Sequence, residues 1–414
     1  MNNIANYKIK VSSIIQLIWT VMTCWIISSF NGGFVTLLPY SSWILVFPIW
    51  FLFSVIINGR FLLFFWKTGW ALIIFEIMVI IFSIFESTAV NVTSRSFMGI
   101  VVAYAIFCFL YTNPWNWIKP IVGFYFIEMF FQLVYAIKML FSNPTLIRGL
   151  LTSTIDAVNY PFMISFAGVY ISMAIMIYII VQFKYINKTY KLPCLLLVIL
   201  QVVLVLMSNL ATPLIISATF IGLSILFKNK KKLIFSFVIL LIFYSIFKTQ
   251  IGNIFVTLSQ GSYFSTIISD KLYELGYYLQ GKIVNNASGT YAVRQELSKQ
   301  SMASFYDHFL LGVYGMGYDA KVGGHTTWQD LLGNFGILRT MFLFIFLYQW
   351  YRNLMMKFIR EEENNATFYA LIILVTAGFF NPVIKLGIVV FIFLVMPFTG
   401  QVLNKYNENR ESES

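Results

Sequence analysis

The chain has 414 residues, 59% of them hydrophobic and only 11% charged, with a formal net charge of +12. A soluble domain carries about 25% charged residues, so this composition excludes a water-covered globule. The basic balance does not mark a nucleic-acid binder either, because the lysines gather in short loops between apolar blocks instead of on one face of a folded domain.

Apolar blocks long enough to cross a bilayer, which needs roughly 20 residues per helix, recur along the whole chain. They predict an all-α, polytopic integral membrane protein with about twelve transmembrane helices, at 11–30, 37–57, 68–86, 96–112, 120–141, 161–183, 192–208, 211–227, 233–250, 331–351, 367–380 and 384–403. The first block follows Lys8 and Lys10 and lacks a small-residue cleavage site, so it reads as a retained helix. "SNLATP", Ser208 to Pro213, is the expected turn between the seventh and eighth blocks. An even number of spans puts both termini on one side. Arg60, Lys67, Lys119, "KYINKTYK" and "KNKKK" then share that side with Arg352, Lys357 and Arg360. Excess lysine and arginine marks cytoplasmic loops. The chain is therefore expected to cross a cell membrane many times, with both termini inside.

Three regions follow: nine helices over 1–248, an extracytoplasmic helical loop over 249–330, and three helices with a polar tail over 331–414. A structureless loop of that length is improbable. Phe264, Ile268, Leu272, Leu275, Leu279 and Ile283 recur at helical spacing and predict an amphipathic helix suited to a membrane surface. A second helix is expected from about Ser288, past Arg294, to about Phe309. Glycines from Gly312 to Gly324 then allow an irregular return to the membrane.

The three cysteines, Cys24, Cys108 and Cys194, all lie in apolar blocks and read as buried packing, and no zinc or magnesium ligand set is spaced for a metal. Chemistry therefore points elsewhere. The chain has two histidines, His308 and His325. His308 reads as a loop packing residue. His325 precedes "TTWQD", which holds two overlapping capping boxes, Thr326 with Gln329 and Thr327 with Asp330. A helix is expected to start there. Its free N–H groups favour an anion, and its dipole keeps a neighbouring imidazole neutral and able to accept a proton. Arg294 and Arg148 each offer a guanidinium fork for a phosphate or face water as ordinary surface groups. Arg339 falls about two turns into the tenth block, where a charge faces a cavity or a partner. Glu128 and Gln132 read as a polar contact between helices.

"SGTYAVRQELSKQSMASFYDHFLLGVYGMGYDAKVGGHTTWQDLLGNFGILR" resembles the signature region of the O-antigen ligase and polysaccharide polymerase (Wzy-type) superfamily. There an arginine-bearing loop helix leads to a segment like "hPLlGvG", and a histidine opens "HNxxLxxLxxyGi" at the start of a membrane helix. Arg294, "HFLLGVYGMG" and "HTTWQDLLGNFGI" take those places. Thr326 stands where the family often has Asn, and "SNLATP" lacks the arginine that many members carry in the corresponding outer turn.

The resemblance implies a metal-independent glycosyltransferase without a cofactor. It would polymerise polyprenyl-pyrophosphate-linked oligosaccharide repeat units at the outer face of the membrane, for capsule, exopolysaccharide or O-antigen. His325 and Arg294 would be catalytic, with Arg148, Arg339 and Thr326 binding substrate. Membrane lipid, a chain-length regulator and a flippase are the partners implied, and no nucleic acid. The alternatives are an O-antigen ligase and a lipid-linked oligosaccharide flippase. A flippase should show internal repeats, and this sequence shows none.

Overall fold

The structure, a computed structural model, describes residues 2–38, 43–84, 93–113, 115–151, 155–156, 159–208, 210–226, 230–261, 266–282, 290–314, 316, 322–324, 326–359, 361–382 and 386–404. Among these there is no strand, and an isolated bridge between Ile186 and Asn404 is the exception to an all-helical chain. Every apolar block of the sequence coincides with a helix. In order they are α1 Asn2–Asn31, α2 Trp43–Asn58, α3 Arg60–Ile84, α4 Thr93–Tyr111, α5 Ile118–Ser142, α6 Leu146–Leu151, α7 Phe166–Gln182, α8 Lys188–Met207, α9 Ala211–Leu226 and α10 Lys230–Ser259. The loop region supplies α11 Thr266–Leu279 and α12 Thr290–Asp307. After α13 Thr327–Gln349 comes a π-helical stretch, Trp350–Met355, then α14 Met356–Phe358 and α15 Glu361–Gly378. The chain closes with α16 Leu386–Val390, a second π-helical stretch Phe391–Val395, and α17 Met396–Leu403.

Among the described residues, five helical segments are long and apolar enough to cross a membrane: Ser13–Asn31, Arg60–Phe82, Ile118–Ser142, Lys188–Met207 and Thr327–Phe358. Their outward faces carry large apolar side chains such as Leu17, Leu63 and Leu192, exposed by 62%, 74% and 75%. So much apolar surface is suited to lipid and not to water. Inside, α7 is buried along nearly its whole length and packs on α8, α9, α15 and α16. An aromatic cluster holds α1, α2 and α4 together. Trp19 stacks on Phe109 at 4.3 Å, and the indole N–H groups of Trp19 and Trp50 donate to Ser54 and Thr23 at 2.8 and 2.9 Å. Such buried donors find partners because an unpaired one is expensive away from water.

The two ends of the bundle differ in what they tie together. At one end the Asn187 N–H donates to the Leu403 carbonyl at 2.8 Å, Gln401 reaches the Phe358 carbonyl at 3.1 Å, and the Asn404 amide reaches Glu363 at 2.7 Å. This is the end of the basic loops. At the other, Thr36 donates to the Pro161 carbonyl at 2.7 Å, and Thr327 to the Asn381 carbonyl at 2.9 Å.

Three expectations are revised. The ninth block does not end near 250: α10 continues to Ser259, past the boundary drawn at 248. The amphipathic helix forms as α11, but its apolar side packs on α10. Gly252 and Gly276 allow the close approach; a Cβ on either would lie 2.6 or 2.7 Å from the other's carbonyl oxygen. Periodicity told which face is apolar, not what it meets. The third concerns α13, whose helical geometry breaks at Gly336, with φ 62° and ψ −176°. That region of backbone space is essentially open only to glycine.

Candidate functional site

The break in α13 sets the geometry of the site. A helix interrupted here leaves backbone groups without partners, and in an apolar setting these must be satisfied internally. The loop after α12 does so. Ile337 and Leu338 N–H groups donate to the carbonyls of Phe309 and Leu310 at 2.8 and 3.1 Å. In return, Val313 and Tyr314 N–H groups donate to those of Gly333 and Asn334 at 3.1 and 2.9 Å. The loop thus pairs with the opened helix almost as a strand. Gly312, at φ 69°, and Gly336 face each other across this pairing, and a Cβ on Gly336 would lie 2.5 Å from both the Gly312 nitrogen and the Leu310 oxygen.

Arg339 locks the arrangement. It is fully buried, and its guanidinium donates to the carbonyls of Phe335 at 3.2 Å, Tyr314 at 3.1 Å, and Leu311. It also lies over the Phe82 ring, 4.5 Å from the centroid. The expectation of a cavity or a partner for this charge resolves to a partner, the carbonyls of the returning loop. A planar fork with five N–H donors suits several carbonyls at once.

Nine residues before Arg339, Asp330 gathers the entry to α13. Its Oδ1 accepts from the Ser301 hydroxyl at 2.6 Å and from the Gly324 N–H at 3.2 Å, and its Oδ2 accepts from the Thr326 N–H at 2.8 Å. Ser301, on α12, in turn accepts from the Gly323 N–H at 3.0 Å. The two capping boxes read from the sequence therefore form differently. Thr326 is the N-cap but makes no side-chain cap bond, and Thr327 donates across the bundle to Asn381. Only the reciprocal half survives, with a carboxylate one turn on reaching back to the N-cap N–H. Asp330 wins that contact because it serves three donors at once.

The site residues read from the sequence divide as follows. Thr326 is buried at the N-cap, and neither its Oγ1 nor the Oε1 of Gln329 has a hydrogen-bond partner. His325 lies outside the described residues; its two neighbours, Gly324 and Thr326, are both held by Asp330. Arg294 belongs to α12, and its side chain also lies outside the description. Its position is nevertheless informative. It shares the helical face of Leu297 and Ser301, three and seven residues on. Leu297 packs its backbone against Gly323, where no Cβ would fit, and Ser301 binds Asp330. The Arg294 position is thus on the face of α12 turned to the α13 entry. Arg148 stands half-buried on α6, which packs on α7. His308 follows α12, half-buried, with its carbonyl accepting from the Gly312 N–H at 2.8 Å.

Sequence reasoning did not single out Ser301 or pair Gly312 with Gly336, and it gave Asp330 only the role of a capping partner for Thr327. The one available signal was local: Asp330 stands four residues after the N-cap. Ser301 and Gly312 meet the site only through tertiary contacts. Among the described residues no cluster of three or more His, Cys, Asp or Glu is placed to hold a metal ion. No known family profile matches the chain, and no curated protein matches it.

Proposed function

We propose that the protein is a polymerase of lipid-linked oligosaccharide repeat units, acting at the outer face of a bacterial plasma membrane with twelve spans and both termini inside. The observation that carries this reading is the clamped entry of α13. A carboxylate fixes the backbone on both sides of His325 at a helix N-terminus, and the helix that bears Arg294 is bound to the same carboxylate through Ser301. Such an entry presents N–H groups and dipole to an anion at the membrane boundary.

In the proposed reaction, a sugar hydroxyl of the acceptor unit attacks the anomeric carbon of the donor glycan. The new C–O bond forms as the bond to the polyprenyl pyrophosphate breaks. His325 takes the hydroxyl proton, and Arg294 meets the negative charge that develops on the departing pyrophosphate. The polyprenyl tail stays in lipid while the glycan stays in water, so the chemistry belongs at the boundary between them. Arg339 acts through the backbone: it holds the loop 311–314 against α13 and so sets the depth of the entry.

The test is His325→Ala expressed in cells that lack the native protein. Long-chain polymer should vanish while single lipid-linked units accumulate and the variant remains in the membrane. Normal chain lengths at matched abundance would remove His325 from the chemistry.

A further inference from the structure

A second feature of the outer end has no part in this account. A cavity of about 550 Å³ lies between α1, α5, α7 and α16. Ligand pockets of this size hold small molecules. Phe30, Tyr160 and Ala167 contribute to its apolar wall, and Asn31, Gln132 and Ser165 supply polar groups. No charged side chain lines it among the described residues. A strong pyrophosphate site calls for arginine or lysine, and none of the described lining residues is either.

Two observations point to a polar, uncharged occupant. The Asn31 Oδ1 is buried without a hydrogen-bond partner, while its amide nitrogen faces the Glu128 carboxylate at 3.5 Å. This leaves an acceptor turned toward Gly387 on the cavity wall, since a Cβ at Gly387 would stand 3.3 Å from that oxygen. A buried acceptor left unmade costs about 1–3 kcal/mol, and a hydroxyl would satisfy it. The second observation is position. Pro382 lines the cavity, and the adjacent Asn381 carbonyl accepts from Thr327 in the first turn of α13. The cavity therefore opens beside the clamped entry.

We infer that this cavity binds the uncharged sugar residues of the acceptor unit, with apolar sugar faces against its aromatic wall and a sugar hydroxyl donating to Asn31. The ligand class rests on the polymerase reading; the presence of a neutral polar site does not. It would hold the acceptor apart from the donor pyrophosphate, which Arg294 takes.

The test uses the purified full-length protein and two probes. One is the oligosaccharide released by mild acid from the lipid-linked pool of the cells that make it; the other is farnesyl pyrophosphate. Ala167→Phe fills the cavity, and Tyr160→Ala strips its wall. Each should weaken oligosaccharide binding tenfold or more and leave farnesyl pyrophosphate binding within twofold. In a polymerisation assay each should raise the KM for the acceptor more than it lowers kcat. Wild-type protein that fails to bind the oligosaccharide overturns the inference. So does oligosaccharide binding that neither variant weakens, or loss of farnesyl pyrophosphate binding instead, which would make the cavity a tail pocket. If wild-type protein binds the oligosaccharide through this cavity yet makes no polymer, the polymerase reading falls and the sugar site stands.

Discussion

Glu128 and Asp330 solve the same problem at two places in the bundle. Each is a carboxylate that binds a serine hydroxyl from another helix and a backbone N–H where the chain turns. Glu128 accepts from Ser28, from the Phe34 N–H at 2.9 Å and from Asn31, and it is completely covered. Gln132, one turn on, donates to the Gly32 carbonyl at 2.8 Å and completes the node. Asp330 is only half-buried. Beside it the Thr326 Oγ1 and Gln329 Oε1 are left without partners. A node whose backbone turn is closed by protein groups holds helices together. Both nodes leave a polar atom without a partner, Asn31 Oδ1 beside Glu128 and Thr326 Oγ1 beside Asp330, but of the two carboxylates only the half-buried Asp330 stands at a helix N-terminus, a place suited to a ligand. The comparison separates a fastening from a site, although both are the same chemistry.

Four expected outcomes sharpen or break that contrast. The largest is structural. Gly336→Ala places a Cβ against the Leu310 oxygen and Gly312 nitrogen in backbone that disfavours L side chains, at about 1–3 kcal/mol for that conformation alone. The loop 309–314 should leave α13, so that polymer is lost and protease added outside cuts between His308 and Gly324. Unchanged protease resistance would mean that the paired loop is not the structure of the working protein.

Arg294→Lys comes next. It keeps the charge but loses the planar fork, and most polymer should disappear. Arg148→Ala should lower polymer less, because α6 packs on α7 away from the Asp330 clamp. The reverse order would move the pyrophosphate from Arg294 to Arg148.

The direct contrast is Asp330→Asn against Glu128→Gln. Asn at 330 keeps one oxygen and turns an NH₂ group toward a donor, so a bond among Ser301, Gly324 and Thr326 fails. A lost partner of this kind is worth about 1–3 kcal/mol, and polymer yield should fall about tenfold with normal membrane abundance. Glu128→Gln is the smallest. Its remaining oxygen still accepts from Ser28 and the Phe34 N–H, and only the long 3.5 Å contact to Asn31 is lost, so polymer should stay within twofold. Equal losses from both variants would erase the distinction between the two nodes.

Much of the fold was legible because apolar length is a strong signal. The blocks found their helices, α8 ended at Met207 and α9 began at Ala211, within or beside "SNLATP", and Glu128 with Gln132 joined two helices as read. The site was legible only in outline. The start of α13 at Thr327 and the extent of α12 followed from local patterns. The break at Gly336 did not, since "LLGNFGILRTMFLFIF" has the hydrophobicity of an unbroken helix. A positive φ leaves no periodic trace; the glycines at 333 and 336 with Arg339 after them were the only hint. The clamp was hidden for another reason. Ser301 meets Asp330 across 29 residues, and no local rule reports such a contact.

The central claim is that the clamped entry of α13 transfers glycan from a lipid pyrophosphate. It is tested most directly by reconstituting purified protein in lipid vesicles with the lipid-linked repeat unit alone, and no nucleotide sugar or metal added. Wild-type protein should convert single units to a ladder of longer lipid-linked chains and release one polyprenyl pyrophosphate per bond formed. His325→Ala should slow this by about 10²–10⁴-fold. Single units that cross the bilayer without joining, or a ladder that forms equally well with His325→Ala, would contradict the account.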